Sequence, residues 1–394
     1  IQFTLAPVLE LFKQLTSCKL HPDTHCWLIT QQALLAGSET RISLAQAPLT
    51  AFVKVLSLEH SDRISGQIDL PESVDDHALG QLLTILSADQ QESLYALRDG
   101  TVYVPRLEQT SKNAIVGKSL PDSASYLITG GLGSLGLHVA RWLLDRGAKT
   151  LILTSRRAPD QGQQHVIEEL EHQGVAVHVA AVDVTDEAGM GSLFAHINQH
   201  HPPLKGVFHC AGISTFCEAG QLSWDEMEQV LLPKTLGSWN LHRLTQHLDL
   251  DFFVGFSSIA SVWGSRGQAH YAAANGFLDA VVEHRRLQGL PGLSIHWGPW
   301  AGGGMALDSF QQILTRMGVT PLAVEPALRA MECLLGSSGA TFTVADVDWN
   351  RFREIYGLKS DARLFDLLTH PQRETAAESV PEQRTGLEIT AQLS

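Results

Sequence analysis

A glycine-rich turn, Thr129-Gly-Gly-Leu-Gly-Ser-Leu-Gly136, lies between a β-rich apolar run beginning at Tyr126 and an amphipathic stretch over 135–146. No other feature constrains the fold as much. Gly131, Gly133 and Gly136 complete a G-x-G-x-x-G pattern. Glycine is needed there because the backbone turns sharply, must approach a pyrophosphate closely and must let helix and strand pack without an intervening Cβ. Thr129, Gly130 and Leu132 share the turn, and the helix N-terminus after it offers N–H groups and positive potential to phosphates. In this strand-turn-helix setting the segment reads as a dinucleotide site, the bland alternative being a structural turn.

From Tyr126 onward short apolar runs alternate with longer amphipathic ones, the rhythm of a parallel sheet covered by helices. Strands are predicted at 126–129, 150–154, 176–182, 206–210, 252–256, 293–296 and 341–344, and helices at 135–146, 165–173, 224–247 and 268–288. Seven such strands fit one doubly wound, Rossmann-type α/β sheet. Residues 1–115 read as a second α/β unit, with strands at 27–30 and 63–70 and helices at 48–59 and 75–87, but no glycine-rich turn follows any strand. The expected division is a cofactor-free structural subdomain (1–115), a catalytic subdomain (116–350) and a C-terminal extension (351–394). A crossing is expected at 107–123, with Ser111, Gly117, Ser119 and Pro121. The stretch 371–394, rich in Glu, Gln, Thr and Ser, reads as a tail or linker.

Composition excludes some functions. A net charge of −14 with no basic run would repel a nucleic-acid backbone. The five cysteines include no C-x-x-C pair, as expected of reduced thiols in the cytoplasm. No apolar run approaches the roughly 18 residues that span a bilayer. Ile1 has no basic region after it and is not Met, so it is expected to be the edge of a fragment.

Tyr271-Ala-Ala-Ala-Asn275 follows Ser258 and Lys234. The set is similar to that of short-chain dehydrogenase/reductases, which carry Tyr-x-x-x-Lys and an asparagine on an earlier helix. Here the lysine and asparagine stand exchanged, and that exchange resembles the ketoreductase domains of modular polyketide synthases and of animal-type fatty acid synthases. The chemistry agrees. Hydride delivered to a ketone leaves an alkoxide, so a proton donor must reach the carbonyl oxygen, and Tyr271 is the candidate. A free phenol titrates at about 10, so a nearby cation, Lys234, is needed to favour the phenolate. Asn275 lies one helical turn beyond the tyrosine, and Ser258 would donate a hydrogen bond to the carbonyl. Either helix can supply the ammonium or the amide.

Around this set, Ser155-Arg156-Arg157 stands where an NAD-preferring enzyme places an acid, which favours the 2′-phosphate of NADPH; a solvated basic turn is the alternative. The resemblance implies that Asp183 and Val184 meet the adenine, though Asp183 fits equally well as an acid at a helix N-terminus. Cys210-Ala211-Gly212 matches the Asn-Ala-Gly segment under the cofactor, with cysteine in place of asparagine. Pro299, in Ser294-Ile-His-Trp-Gly298-Pro299-Trp300, falls in the segment that touches the nicotinamide carboxamide. The glycines from Ala301 to Met305 resemble the start of a mobile lid over the substrate, or simply mark a loop. Two other motifs fail. Gly255-Phe-Ser257-Ser258-Ile259 lacks the final glycine of a nucleophile elbow, and His196, His200 and His201 are better explained by a helix end than by a metal.

The resemblance runs over nearly the whole chain, from the segment beginning at Pro48 to Asp348-Trp349. It implies reduction of a β-ketoacyl thioester tethered through phosphopantetheine to an acyl carrier protein, with neighbouring domains of the same megasynthase as partners. B-type members carry Leu-Asp-Asp where this chain has Ser214-Thr215-Phe216. A-type members carry the tryptophan that Trp263 provides, and the expected product is the L-β-hydroxyacyl thioester. Trp263 could also be a wall residue that selects nothing. Members acting on an epimerised α-methyl group tend to have histidine where Gln268 stands, so an unsubstituted or unepimerised substrate is expected. The opening strands usual in the first subdomain are not evident, which implies a late start or an inserted domain upstream. No metal is expected, and no carrier motif is present. A fatty acid synthase reductase and a reduction-incompetent scaffold remain as alternatives.

Overall fold

The computed structural model describes residues 1–19, 21, 23–88, 92–110, 120–121, 123–301, 308–356, 362–368 and 389–393. Met305 with the expected lid beyond Ala301, and most of the expected crossing, lie outside the described residues.

The first unit comprises α1 (Gln2–Ser17), β1 (Cys26–Gln31), α2 (Ala47–Glu59), β2 (Ile64–Leu70), α3 (Asp76–Ser87), β3 (Leu94–Arg98) and β4 (Thr101–Tyr103). Its sheet runs β1-β2-β3-β4, parallel until a tight turn at Asp99-Gly100 brings β4 back antiparallel. Nothing in the composition of 2–17 marks α1, which contains Pro7 and has no side-chain cap. Burial of Leu5, Leu9 and Phe12 holds it in place. Helix α2 is apolar on nearly all sides, as befits a helix enclosed between two layers.

The second unit starts with the short β5 (Leu107–Gln109) and continues as β6 (Ser125–Thr129), α4 (Ser134–Asp145), β7 (Thr150–Ser155), α5 (Gln161–His172), β8 (Ala176–Ala181), α6 (Glu187–His200), β9 (Leu204–His209), α7 (Trp224–Thr245), β10 (Phe252–Ser258), α8 (Ile259–Trp263), α9 (Ala269–Leu287), β11 (Leu293–Trp297), α10 (Asp308–Arg316), β12 (Val319–Thr320), α11 (Val324–Leu334), β13 (Thr341–Val344), β14 (Asp346–Val347) and α12 (Trp349–Tyr356). The seven expected strands form a parallel sheet in the order β8-β7-β6-β9-β10-β11-β13. Central strands are near-continuous apolar runs because helices cover both faces. Helix α5 begins earlier than its apolar period suggests because Asp160 and Gln163 close a capping box. A strand β15 (Ile389–Leu393) pairs antiparallel with β13 and β5. It lies within the stretch expected as a tail, whose polar average hides the alternation of Ile389, Ala391 and Leu393.

The chain leaves β6 for β7 and β8, then returns to β9 on the other side. The switch point therefore lies between β6 and β9, where open α/β sheets bind ligands at the carboxyl ends of their strands. The two units share one apolar cluster, in which Leu49, Ala51 and Phe52 of α2 meet Ala269 and Ala272–Ala274 of α9. Phe52 is fully buried there. Phe52→Ala is expected to cost about 3–5 kcal/mol and to lower the midpoint of a single cooperative unfolding transition. Differential scanning calorimetry checks it, and two separate transitions would show that the units unfold independently.

Candidate active site

The glycine turn is fixed by crowding. Gly130 has φ +64°, and a Cβ there would lie 2.8 Å from the Ala211 backbone. One at Gly131 would meet Ile128 O and Leu153 Cβ at 2.8 Å, and one at Gly136 would meet Gly130 O at 2.5 Å. Thr129 Oγ1 and His209 Nδ1, both buried, are 2.7 Å apart across the switch point. Gly133 caps α4 without a side chain, leaving the first-turn N–H groups free for an anion. Buried Leu132 is anchored through its carbonyl by Gln163 Nε2 at 2.8 Å. This cradle fits a dinucleotide pyrophosphate.

The other expected cofactor residues border the same edge. Arg156 and Arg157 follow Ser155 at the end of β7, exposed and without side-chain partners among the described residues. Asp183 Oδ1 accepts from Thr185 N and Oγ1 at 2.9 and 2.8 Å, whereas Asp186 is the N-cap of α6. Buried Val184 offers its carbonyl to Asn240 Nδ2 of α7 at 3.0 Å, a contact that no motif announced. Cys210, Ala211 and Gly212 follow β9, with Cys210 N donating to Thr129 O at 3.0 Å. Burial pushes the Cys210 thiol up to about 12 against the pull of Lys234, so it stays protonated rather than nucleophilic. Pro299 lines the adjoining cavity and accepts from Leu322 N at 2.7 Å.

Ser258, Tyr271 and Asn275 meet at the end of β10. Ser258 Oγ accepts from Ala260 N at 3.2 Å as the cap of α8, which leaves its own hydrogen free to donate. Burial raises the pKa of the Tyr271 phenol, and hydrogen bonding with Ser258 and Asn275 opposes that rise. Asn275 Nδ2 donates to Tyr271 O at 2.9 Å, while Asn275 Oδ1 is buried with no partner among the described residues. Lys234 stands one step back. It is 1% exposed, hydrogen-bonds Phe256 O at 2.5 Å, and makes no hydrogen bond to Tyr271. Burial draws its ammonium down to about 8, opposed by Cys210 and Asp279.

A cavity of about 500 Å³ opens beside Ser258 and Tyr271. Trp263, Gln268 and Phe216 all line it. Trp263 is 3% exposed and packs edge-on to Trp349, Phe352 and Phe365, and the Tyr356 hydroxyl donates to its carbonyl. Gln268 Nε2 donates to Ser214 Oγ at 2.8 Å, and Phe216 sits half-exposed. Sequence reasoning missed the far wall, formed by Leu314, Met317, Phe352 and Tyr356. The spacing of Trp349, Phe352 and Tyr356 on α12 was the available signal. The rings of His178, His196, His200 and His201 cluster on the surface, and no group of side chains suited to a metal occurs among the described residues.

A doubly wound parallel sheet with this glycine turn and a Ser-Tyr pair at its carboxyl edge defines a short-chain dehydrogenase/reductase, a class that uses a nicotinamide cofactor. Residues 124–302 match the KR domain model, and residues 2–107 match the Rossmann fold domain of polyketide synthase extender module SpnB. The chain is 38% identical over 363 residues to polyketide synthase GfsA of Streptomyces halstedii, a match covering 91% of this chain and 5% of that one. It is 35% identical over 356 residues to the pikromycin synthase component PikAIII of Streptomyces venezuelae, covering 89% of this chain and 23% of the relative. A solved A1-type ketoreductase superposes with a TM-score of 0.87 at 36% identity, over 92% of this chain and 77% of the other. The chain belongs to the ketoreductase domains of modular polyketide synthases, oxidoreductases acting on a β-keto group. Among the described residues no helix is long and apolar enough to cross a membrane.

Gly136→Ala would force a Cβ against backbone atoms of Gly130 and Gly131 that cannot swing aside. Cofactor affinity is expected to fall at least about tenfold, the effect of roughly 1.4 kcal/mol, with the helical circular dichroism retained. Cofactor fluorescence titration checks it.

Proposed function

We propose that this chain reduces a β-ketoacyl thioester, carried by phosphopantetheine on an acyl carrier protein, to the L-β-hydroxyacyl thioester with NADPH. The observation that carries this reading is the meeting of Ser258, Tyr271 and Asn275 between the glycine cradle and a cavity walled by Trp263. Residues 1–115 serve as scaffold, 116–350 as catalytic unit and 351–394 as extension, within a larger cytoplasmic synthase whose neighbouring domains deliver and remove the chain.

When bound, NADPH supplies the hydride. The protein's task is to manage the charge that the hydride leaves on oxygen. Ser258 Oγ–H donates to the ketone oxygen and polarises it, and Tyr271 Oη–H gives its proton to the same oxygen. The raised phenol pKa keeps that proton in place at neutral pH, so Tyr271 is a competent acid before the reaction. The phenolate left behind must be reprotonated. Asn275 Oδ1, an unpartnered buried acceptor, suits a water that joins the phenol to Lys234. Arg156 and Arg157, whose side chains have no partner among the described residues, bind the 2′-phosphate, while Asp183 and Val184 flank the adenine. Trp263 cannot swing from the cavity because rings pack around it, so it presents one face of the ketone to the hydride. Gln268, bonded to Ser214, stands where members acting on an epimerised α-methyl group tend to have histidine, which supports a substrate with an unsubstituted or unepimerised α-carbon.

With a short β-ketoacyl thioester surrogate, NADPH oxidation should yield predominantly the L-alcohol, and Tyr271→Phe should lower kcat/KM by about 100-fold or more. Turnover undiminished in Tyr271→Phe overturns the catalytic assignment, and a D-alcohol from the wild type overturns the stereochemical one. Replacing Arg156 and Arg157 with alanine should raise KM for NADPH about tenfold or more, since charge-assisted hydrogen bonds contribute about 1.5–3 kcal/mol each, and leave KM for NADH little changed. Steady-state kinetics with both cofactors checks this, and equal losses would refute the phosphate contact.

A further inference from the structure

The cofactor-free unit meets the catalytic one in two chemically different ways. Among its apolar contacts, Leu49, Ala51 and Phe52 pack with the alanines of α9, while Leu58 packs with Val262 and Trp263. Two of its polar side chains, Lys54 and Glu59, end instead on backbone atoms of the segments that carry Trp263, Gln268 and Phe216.

Lys54 Nζ donates to Val262 O at 2.8 Å and to Ser261 O at 3.3 Å. These carbonyls close α8, the five-residue helix Ile259–Trp263, whose end groups have no continuing turn to satisfy them. A cation there also complements the helix dipole. Helix α8 is thus fastened at its start by Ser258 and at its end by Lys54, with Trp263 as its last residue. Gly264, the next residue, has φ +82°, and a Cβ on it would lie 2.7 Å from Leu58 Cδ1 of α2. The turn therefore rests directly on α2.

Glu59 holds the other two segments. One carboxylate oxygen accepts from Gly267 N at 2.8 Å and the other from Ala219 N at 2.9 Å. Gly267 immediately precedes Gln268, and Ala219 closes the loop that carries Phe216. The two strips of chain also bond each other, Cys217 N donating to Gly267 O at 2.8 Å, with Thr215 Oγ1 and His270 Nε2 2.7 Å apart alongside. A single carboxylate bridges both strips beside the cavity.

We propose that Lys54 and Glu59 are positioning residues that set the orientation of the bound ketone, so that the cofactor-free unit takes part in product stereochemistry. The inference rests on Trp263, Gln268 and Phe216 orienting the substrate, and is independent of which enantiomer they favour. Neither side chain touches the reacting atoms. Each acts through the backbone of a loop, and losing either anchor is expected to shift Trp263 or Gln268 relative to the two ketone faces.

The test compares Lys54→Met, Lys54→Arg, Glu59→Gln and Phe52→Ala in the full chain. For each, alcohol enantiomer ratio, KM for the thioester surrogate, KM for NADPH and melting temperature are measured, all below the lowest melting transition. Lys54→Met and Glu59→Gln are expected to reduce the enantiomer ratio by about tenfold, the equivalent of roughly 1.4 kcal/mol between the competing transition states. KM for the thioester should rise and KM for NADPH stay within about twofold. Lys54→Arg keeps a cation and donors and should restore most of the ratio. Phe52→Ala should lose stability and keep the ratio. An unchanged ratio in both polar variants overturns the proposal, and so does an equal loss of ratio in Phe52→Ala, which would make the effect one of stability. If Lys54→Met does not fold, Glu59→Gln alone decides, an unchanged ratio there overturning the proposal. A wild type that makes the D-alcohol would correct the enantiomer assignment, while this proposal would still be judged by the change in ratio.

Discussion

The close approach of α9 to its neighbours is the constraint on which the rest of the structure depends. Its first half is Ala269-His-Tyr-Ala-Ala-Ala-Asn-Gly276, and a Cβ at Gly276 would stand 3.0 Å from Ala51 Cβ of α2. Alanine and glycine let two backbones come near enough for α2 to lie on one side and α7 on another. The helix meanwhile keeps Tyr271 and Asn275 at the end of β10. Larger side chains on that face would push α2 away, and Lys54 and Glu59 would lose their reach. Tyr271 and the attachment of the first unit therefore share one helix and one steric requirement.

Polar groups in so dry a region must be partnered or bear a function. Asp279, one turn beyond Asn275, accepts from Ser261 Oγ at 2.9 Å and Ser294 Oγ at 2.6 Å and pairs with His296 Nε2 at 3.1 Å. That pairing holds its carboxyl below the usual range despite burial, and its charge supports both Lys54 and Lys234. Lys234 rests on a backbone carbonyl of β10, almost fully buried. Asn275 Oδ1, on the same helix as Tyr271, is one of the buried atoms without a partner among the described residues.

Much of the architecture was legible in local pattern. The seven parallel strands follow from apolar runs of strand length, and the glycine turn from a steric rule confined to eight consecutive residues. Helix α1 and β15 were not legible. Pro7 and an uncapped start conceal the first, and a polar average conceals the second, because in both cases partners distant in sequence supply the stability. Within the site, Ser258, Tyr271 and Asn275 came together as their motif spacing implied. Lys234 is expected as the cation near the phenol, and its ammonium donates to Phe256 O.

The order of strands and helices, the glycine turn and the spacing of Ser258, Tyr271 and Asn275 can be read from the chain alone, since each is written in local residues whose periodicity and steric limits act locally. What surrounds them follows from the packing of distant segments. The aromatic wall around Trp263, the bond of Asn240 to Val184 and the grip of Lys54 on the end of α8, across 207 and 208 residues of chain, depend on which surfaces pack together. Packing is a cooperative property of the whole core, and no segment carries it alone.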